Sequence, residues 1–435
     1  MRAKFVALRE ALATAWPLAL IVCIGFVIAF RFVQPAPPKK VVISSGSEAG
    51  AYFGFANRYA AYLKKQGIQL EVRTSGGSVD NLARLQKGEV DIGFVQGGVW
   101  QPEQAGEGES QETALLSLGS MYYEPFWVFY RGAPVERLAD LSGKRIAIGS
   151  EGSGLRKVAL ELLGANGVPP DRLLPLSGTA AVEALHLGKV DAVCLIAGPE
   201  APSVQALWKE AGVQLLHFGQ AEAYVRRFGY LSRLTLPAGS IDLVRNIPSR
   251  DTELLAPAAN LVVRADLHPA VISLLLQAAR DVHGKAGFFQ KAGEFPALKD
   301  QALPISEDAE RFYKSGPPFL QRFLPFWLAV LVDRLLVLIV PIVVLLMPLL
   351  KLAPVVYSWR IKSRIFRCYG ALKFLDNELQ THFQRDKLGK YREELDRIEQ
   401  EANSLSIPLS FTDLLYTLRE HINLVRQRLD GLATA

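Results

Sequence analysis

Apolar positions alternate between two periods along residues 40–300. VVISS, QLEVRTS and VDIGFVQGG read as strands, while 51–63 and VDNLARLQKG carry apolar residues at helical spacing. This β-α-β-α-β order predicts a parallel sheet with sites at the strand C-termini. The same order returns in LSGKRIAIGS, GLRKVALELLGANG, LLPLSGTA, AVEALHLG and VDAVCLIAG. Leu85, Gly88, Val90 and Asp91 recur one hundred residues later as Leu185, Gly188, Val190 and Asp191, so two related α/β lobes are predicted. Between them PFWVFYRGAP reads as a strand leaving the first lobe, and PAANLVVRAD at 257–266 as one returning, which makes a two-strand hinge.

Outside this region the pattern changes. Ala11 to Phe30 is uncharged and bracketed by Arg9 and Arg31, the length of a membrane-spanning helix. Gln34-Pro35-Ala36-Pro37-Pro38 is a poor cleavage site, so an uncleaved anchor is expected. A second apolar run, Leu335 to Leu350 and on to Trp359, contains Pro341, Pro348 and Pro354, which membrane helices tolerate better than buried soluble ones. Arg360, Lys362, Arg364 and Arg367 follow and put that end in the cytoplasm by the positive-inside rule. Asp333 and Arg334 precede the run and are read as headgroup-level charges of an interfacial helix anchored by Trp327.

Beyond Trp359, Leu388, Tyr391, Leu395 and Ile398 form one apolar seam, and Leu415, Leu418, Ile422, Val425, Leu429 and Leu432 another. The break at 403–408, with a capping-box pattern at Ser410 and Asp413, predicts a helical hairpin. Two short seams are marginal alone, so a homo-oligomer or a cytoplasmic partner is a candidate to cover them. The organisation expected is 1–10 cytoplasmic N-terminus, 11–33 transmembrane anchor, 40–131 lobe 1, 132–255 lobe 2 and 256–320 return to lobe 1. An interfacial segment at 324–334, a transmembrane helix at 335–357 and the cytoplasmic hairpin at 360–435 complete it. The localisation expected is a cell membrane crossed twice, with both termini cytoplasmic and the lobes in the periplasm or outside.

Composition narrows the function. A net charge of +6 on 435 residues, without a basic block, gives nucleic-acid binding no support. Cys23, Cys194 and Cys368 fall in separate regions and imply no disulfide framework. His186, His217, His268 and His283 are scattered, and no HExxH, G-x-S-x-G or Walker pattern occurs, so neither catalysis nor a metal is expected. What remains are Gly/Ser loops, GSEAG at 46–50 and GSEGSG at 149–154, each after a β-branched run. Unpaired N–H groups at such helix starts bind carboxylates or phosphates. The plainer role of each Gly is a tight turn, and of each Ser a helix cap.

VVISSGSEAGAYFGFANRYAAYL, TSGGSVDNLARLQKGEVDIGFVQGGV, LSGKRIAIGSEGSG and KVDAVCLIAG together closely resemble the TAXI family of solute-binding proteins, which serve TRAP transporters. The resemblance covers about residues 40–300. It implies a bilobal periplasmic-binding-protein-like α/β fold that closes on a small solute, often an amino acid or carboxylate, and hands it to TRAP permease subunits driven by an ion gradient. It implies no cofactor. Matching ligand-facing positions are Ser47, Gly50, Ala51, Tyr52, Gly77, Ser78, Gln96, Gly97 and Tyr122 on one side. On the other they are Ser150, Ser153, Gly154, Ser177, Gly178, Thr179 and Gly198.

Glu48 and Glu151 depart from the family pattern in equivalent loops, as does Phe53. Pointing inward, the two carboxylates would suit a cationic or zwitterionic ligand; pointing outward, they are ordinary helix-start acids. Two functions stay open: a membrane-anchored transport receptor, and a sensor that passes lobe closure to the hairpin.

Overall fold

The computed structural model describes residues 16, 19–28, 30–31, 35–100, 114–300 and 302–434. It divides into two compact units, Ala36–Val330 and the pair Met1–Pro35 with Leu331–Ala435. The first described helix is the short apolar α1 (Ala19–Ile28). Residues 1–10 and the flanks of the first predicted span lie outside the described residues.

In the unit Ala36–Val330 the first lobe runs β1 (Lys40–Ser44), α2 (Ala51–Lys65), β2 (Gln69–Arg73), α3 (Ser78–Gln86), β3 (Ile92–Gln96) and β4 (Leu115–Tyr123). The second runs β5 (Phe126–Arg131), β6 (Ile146–Ala147), α4 (Gly154–Ala165), β7 (Leu173–Leu174), α5 (Gly178–His186) and β8 (Ala192–Ile196). It continues through α6 (Pro202–Lys209), β9 (Val213–Leu215), α7 (Ala221–Arg227) and β10 (Leu231–Leu236). The return is β11 (Thr252–Arg264), α8 (Pro269–His283), α9 (Glu307–Ser315) and α10 (Phe319–Phe323).

Each lobe is built on three parallel strands, β2-β1-β3 in the first and β7-β6-β8 in the second. β3 is buried along its whole length, as a parallel strand covered on both faces should be. The sequence repeat has a structural meaning. Gly88 and Gly188 take positive φ, +69° and +67°, just after the C-terminal ends of α3 and α5. Asp91 Oδ2 accepts from the Val42 N–H of β1, and Asp191 Oδ2 from the Arg145 N–H before β6, both at 2.8 Å. The same aspartate therefore stitches the first strand to the third in each lobe.

The hinge lies closer to the first lobe than expected. β5 pairs with β8 and β9, so the chain crosses at Glu124 and Pro125 rather than at 131. Proline lacks the N–H that would let one strand run through. β11 begins at Thr252, five residues before the expected start; its first half pairs with β10 and its second with β3 and β4. The stretch LLPLSGTA keeps only Leu173–Leu174 as strand, because Pro175 ends the ladder.

The helix α11 (Phe326–Thr381), which belongs to the other unit from Leu331 onward, is unbroken with all three prolines inside it. Asp333 and Arg334 therefore continue the helix that holds the apolar run instead of forming a separate segment. Among the described residues it alone is long and apolar enough to cross a membrane; α1 is shorter than a span requires. α12 (Leu388–Ser404) and α13 (Thr412–Thr434) follow. The expected hairpin gains a third helix: Ile365, Cys368, Leu372, Leu375 and Leu379 of α11 form a seam of their own and bury with the seams of α12 and α13. Arg428 to Asp376 at 2.5 Å and Arg426 to Asp396 at 2.8 Å tie α13 to its neighbours.

Candidate functional site

The cleft between the lobes has a volume of about 580 Å³, within the usual range of small-molecule sites. Fifteen of the sixteen residues expected at a ligand site line it: Ser47, Gly50, Ala51, Tyr52, Gly77, Ser78, Gln96, Tyr122, Ser150, Ser153, Gly154, Ser177, Gly178, Thr179 and Gly198. Gly97 does not. Its N–H donates to Ala258 O at 2.8 Å on β11, and a Cβ there would meet the Asp300 carboxylate at 3.0 Å. Its glycine answers to strand packing.

Four helices start at the cleft. α2, α3 and α5 have Gly50, Gly77 and Ser177 at the N-cap, and none of these caps through a side chain. Ser153 caps α4 by accepting from the Arg156 N–H at 3.2 Å. The first-turn N–H groups of Val79 and Asp80 in α3 point at the carbonyl oxygen of Gly152 in the opposite lobe. The first loop is held from below by Asn81, whose carboxamide is fully used. Its Oδ1 accepts from Ser44 and Ser75, and its Nδ2 donates to Ser45 O and Phe94 O.

Gln96 ends β3 with its side chain in the cleft, 4% exposed, and its Nε2 is buried with no hydrogen-bond partner among the described residues. A Cβ on Gly154 would come within 2.8 Å of Gln96 Oε1, so α4 starts in close contact with that side chain, and a larger residue at 154 would have to move it.

Glu48 and Glu151 are exposed and do not line the cleft. The carboxylate that does is Glu124, at the β4–β5 crossing, 6% exposed. Tyr52 donates its hydroxyl to Oε2 at 2.9 Å and Tyr122 to Oε1 at 3.1 Å. Burial pushes this carboxyl up to about 7 against the opposing pull of the two hydroxyls. Burial and the facing carboxylate hold both tyrosines well above the ordinary phenol range. Behind Tyr122, His283 stacks at 5.7 Å between rings; burial, then Arg58, pushes its imidazole down to about 3, so it is neutral. Nothing in YYEPFW marks Glu124 in the sequence: Tyr122 is two residues away, but Tyr52 is 72 residues upstream.

The remaining chemistry-bearing groups are structural. His186 faces Glu210 at 2.9 Å, His217 accepts from the Glu253 N–H and His268 caps α8. Burial pushes the Cys194 thiol up to about 12. Among the described residues there is no group of three metal-ligating side chains.

Two α/β lobes joined by crossing strands, with a cleft at the strand ends, define a two-lobed α/β fold. Residues 43–315 match the model of the NMT1-like family, and the chain belongs to that family. It is similar in structure to a protein of Bordetella bronchiseptica RB50, at 18% identity and a TM-score of 0.40, covering 58% of this chain and 74% of that one. It is also similar to the periplasmic aliphatic sulphonate binding protein SsuA of Escherichia coli, at 15% identity and a TM-score of 0.36, covering 57% and 73%. The GluR0 ligand-binding core from Nostoc punctiforme, in complex with L-glutamate, aligns at 14% identity and a TM-score of 0.35, covering 56% and 92%.

Proposed function

We propose that residues 40–320 bind a small solute, an amino acid or carboxylate in class, as the membrane-anchored receptor of a TRAP-type permease. The observation that carries the reading is the cleft itself: the N-termini of α2 and α5, which have no side-chain cap, and the Gln96 Nε2, without a partner among the described residues, converge on one cavity. Such donors await an acceptor that the protein does not supply. In this reading α11 spans the membrane, the stretch around α1 anchors the N-terminus, both ends lie in the cytoplasm, and the bundle serves assembly with the permease or a second copy. No catalytic step, metal or cofactor enters it.

A second reading, a sensor, is favoured by α11. The same helix contributes Phe326 and Val330 to the first-lobe core and Ile365 to Leu379 to the bundle. Deletion of the gene separates the two. Loss of uptake of a ligand identified by calorimetry, with adjacent permease genes, supports the receptor. Intact uptake with a lost cellular response to that ligand refutes it in favour of the sensor.

A further inference from the structure

No cation among the described residues pairs with the buried Glu124 carboxylate. Among the described residues its side-chain partners are two tyrosine hydroxyls, Tyr52 from α2 and Tyr122 from β4, and its backbone N–H donates to Pro257 O of β11 at 2.9 Å. It therefore sits where both hinge strands cross, beside the start of α2. Two donors orient both oxygens, yet leave the charge uncompensated, and buried charges are ordinarily paired. The side chain lines the cleft, so the missing cation has a place from which to arrive.

The same cleft carries the opposite polarity at Gln96, whose Nε2 has no acceptor among the described residues. The Gln96 N–H donates to Ser78 Oγ at 3.0 Å, Ser78 Oγ lies 3.4 Å from the Tyr52 hydroxyl, and Tyr52 donates to Glu124. The chain links the backbone of Gln96, though not its side-chain amide, to Glu124, so the acceptor-seeking and cation-seeking residues sit in one hydrogen-bonded framework.

Resting on the ligand-binding reading above and deepening it, we propose that Glu124 is the specificity-determining residue of the cleft. It receives an ammonium group of the ligand, while a carboxylate or other anionic group of the same molecule takes the Gln96 Nε2. Tyr52 and Tyr122 are positioning residues that aim the carboxylate. The ligand class is zwitterionic, and a dicarboxylate without an amine is rejected because it would place like charges together.

The test is titration calorimetry of the full-length, detergent-solubilised chain. The probes are the twenty common amino acids, the carboxylates butanoate to hexanoate and succinate to adipate, and matching primary amines, each at pH 5.5 to 8. The expected result is binding of at least one amino acid, with its deamino counterpart weaker by about thirtyfold or more. Affinity should rise up to about tenfold per pH unit below 7 and level off above it, because the cation binds the ionised carboxylate. The groups facing Glu124 are Tyr52, Tyr122 and, behind them, Ser78 and His283; none of these titrates in that window. Glu124→Gln should abolish both the discrimination and the pH slope, and Glu124→Asp should restore part of each. The slope on the native chain stands even where a variant folds poorly. Equal or tighter binding of a plain carboxylate, with affinity falling as pH rises, overturns the assignment and leaves the receptor reading intact. Absence of binding across the panel overturns both.

Discussion

The backbone N–H of Val79, in the first turn of α3, donates to the carbonyl oxygen of Gly152 in the second lobe at 3.1 Å, with the Asp80 N–H sharing it at 3.4 Å. A helix start of one lobe is thus satisfied by a loop of the other, and the cleft is closed along that edge. Gly77 makes this approach feasible. Its φ is +124°, and a Cβ would stand 3.1 Å from Ser153 Cα and 3.4 Å from Gly152 O, backbone atoms that cannot swing aside. Gly77→Val should keep the fold but hold the lobes apart, at about 1–3 kcal/mol of strain in the closed form. The expected outcome is a larger radius of gyration in small-angle scattering and ligand affinity at least about tenfold weaker. Gly54→Ala on α2, where nothing lies within 4 Å, is the control and should stabilise by about 0.5–1 kcal/mol. Unchanged affinity in Gly77→Val would place the site elsewhere.

Asn81 offers a second test of how the loops are held. All four of its side-chain hydrogen-bonding positions are taken, by Ser44, Ser75, Ser45 and Phe94 at 2.6 to 2.8 Å. Asn81→Asp keeps the shape but turns a double donor into an acceptor facing two carbonyl oxygens. A loss of about 2–4 kcal/mol is expected in chemical denaturation, with Asn81→Ser of similar sign. A loss below about 0.5 kcal/mol would show that the network is solvated rather than buried.

The pieces of this site differ in how far the sequence discloses them. The lobes announce themselves because Asp91 and Asp191 do the same work at the same spacing, and because Gly/Ser loops follow β1 and β6, the second turning through Gly149 and Gly152 at positive φ. Burial of Leu82 and Leu85 follows from helical spacing alone. Glu124 is different: its role depends on Tyr52, brought to it by a fold in which α2 and the hinge converge, and no local period records that meeting. Glu48 and Glu151 drew the question of ligand charge only because they stand in the loops, yet both face solvent. The third helix of the bundle was hidden for another reason. Ile365, Cys368, Leu372, Leu375 and Leu379 step by three and four residues like the other seams, but they continue an apolar helix whose dense leucines and valines mask where membrane periodicity ends and bundle periodicity begins.

Glu124 also predicts the pH dependence of stability. Its carboxyl is raised from 4.5 to about 7, so the folded protein holds the proton more tightly than the unfolded chain. The stabilising contribution is complete below pH 4.5 and is lost as pH rises through 7. Glu124→Gln should therefore raise stability by up to about 3 kcal/mol at pH 8 and by little at pH 4, a gain at the expense of binding. Thermal unfolding followed by tryptophan fluorescence at both pH values reads this directly. A larger gain at pH 4 than at pH 8 would reverse the sign and contradict an uncompensated buried carboxylate.

The bundle supplies the measurement that separates transport from sensing. Ile398 of α12 is fully buried among Leu372, Leu395, Leu418 and Ile422 in one apolar core. Ile398→Ala removes branched aliphatic volume that the three seams cannot refill and should cost about 2–4 kcal/mol, seen as an earlier loss of helical circular dichroism on heating. In a receptor whose bundle serves assembly, ligand affinity should stay within about twofold, because nothing requires the bundle's state to reach the cleft. In a sensor the two are linked, and by reciprocity anything that weakens the bundle must alter the affinity of the cleft by the coupling free energy, typically 1–3 kcal/mol. Calorimetry on the native chain and on Ile398→Ala therefore decides between them: an affinity change of about fivefold or more would sink the transport-only reading, and an unchanged affinity would leave the sensor without the coupling it requires.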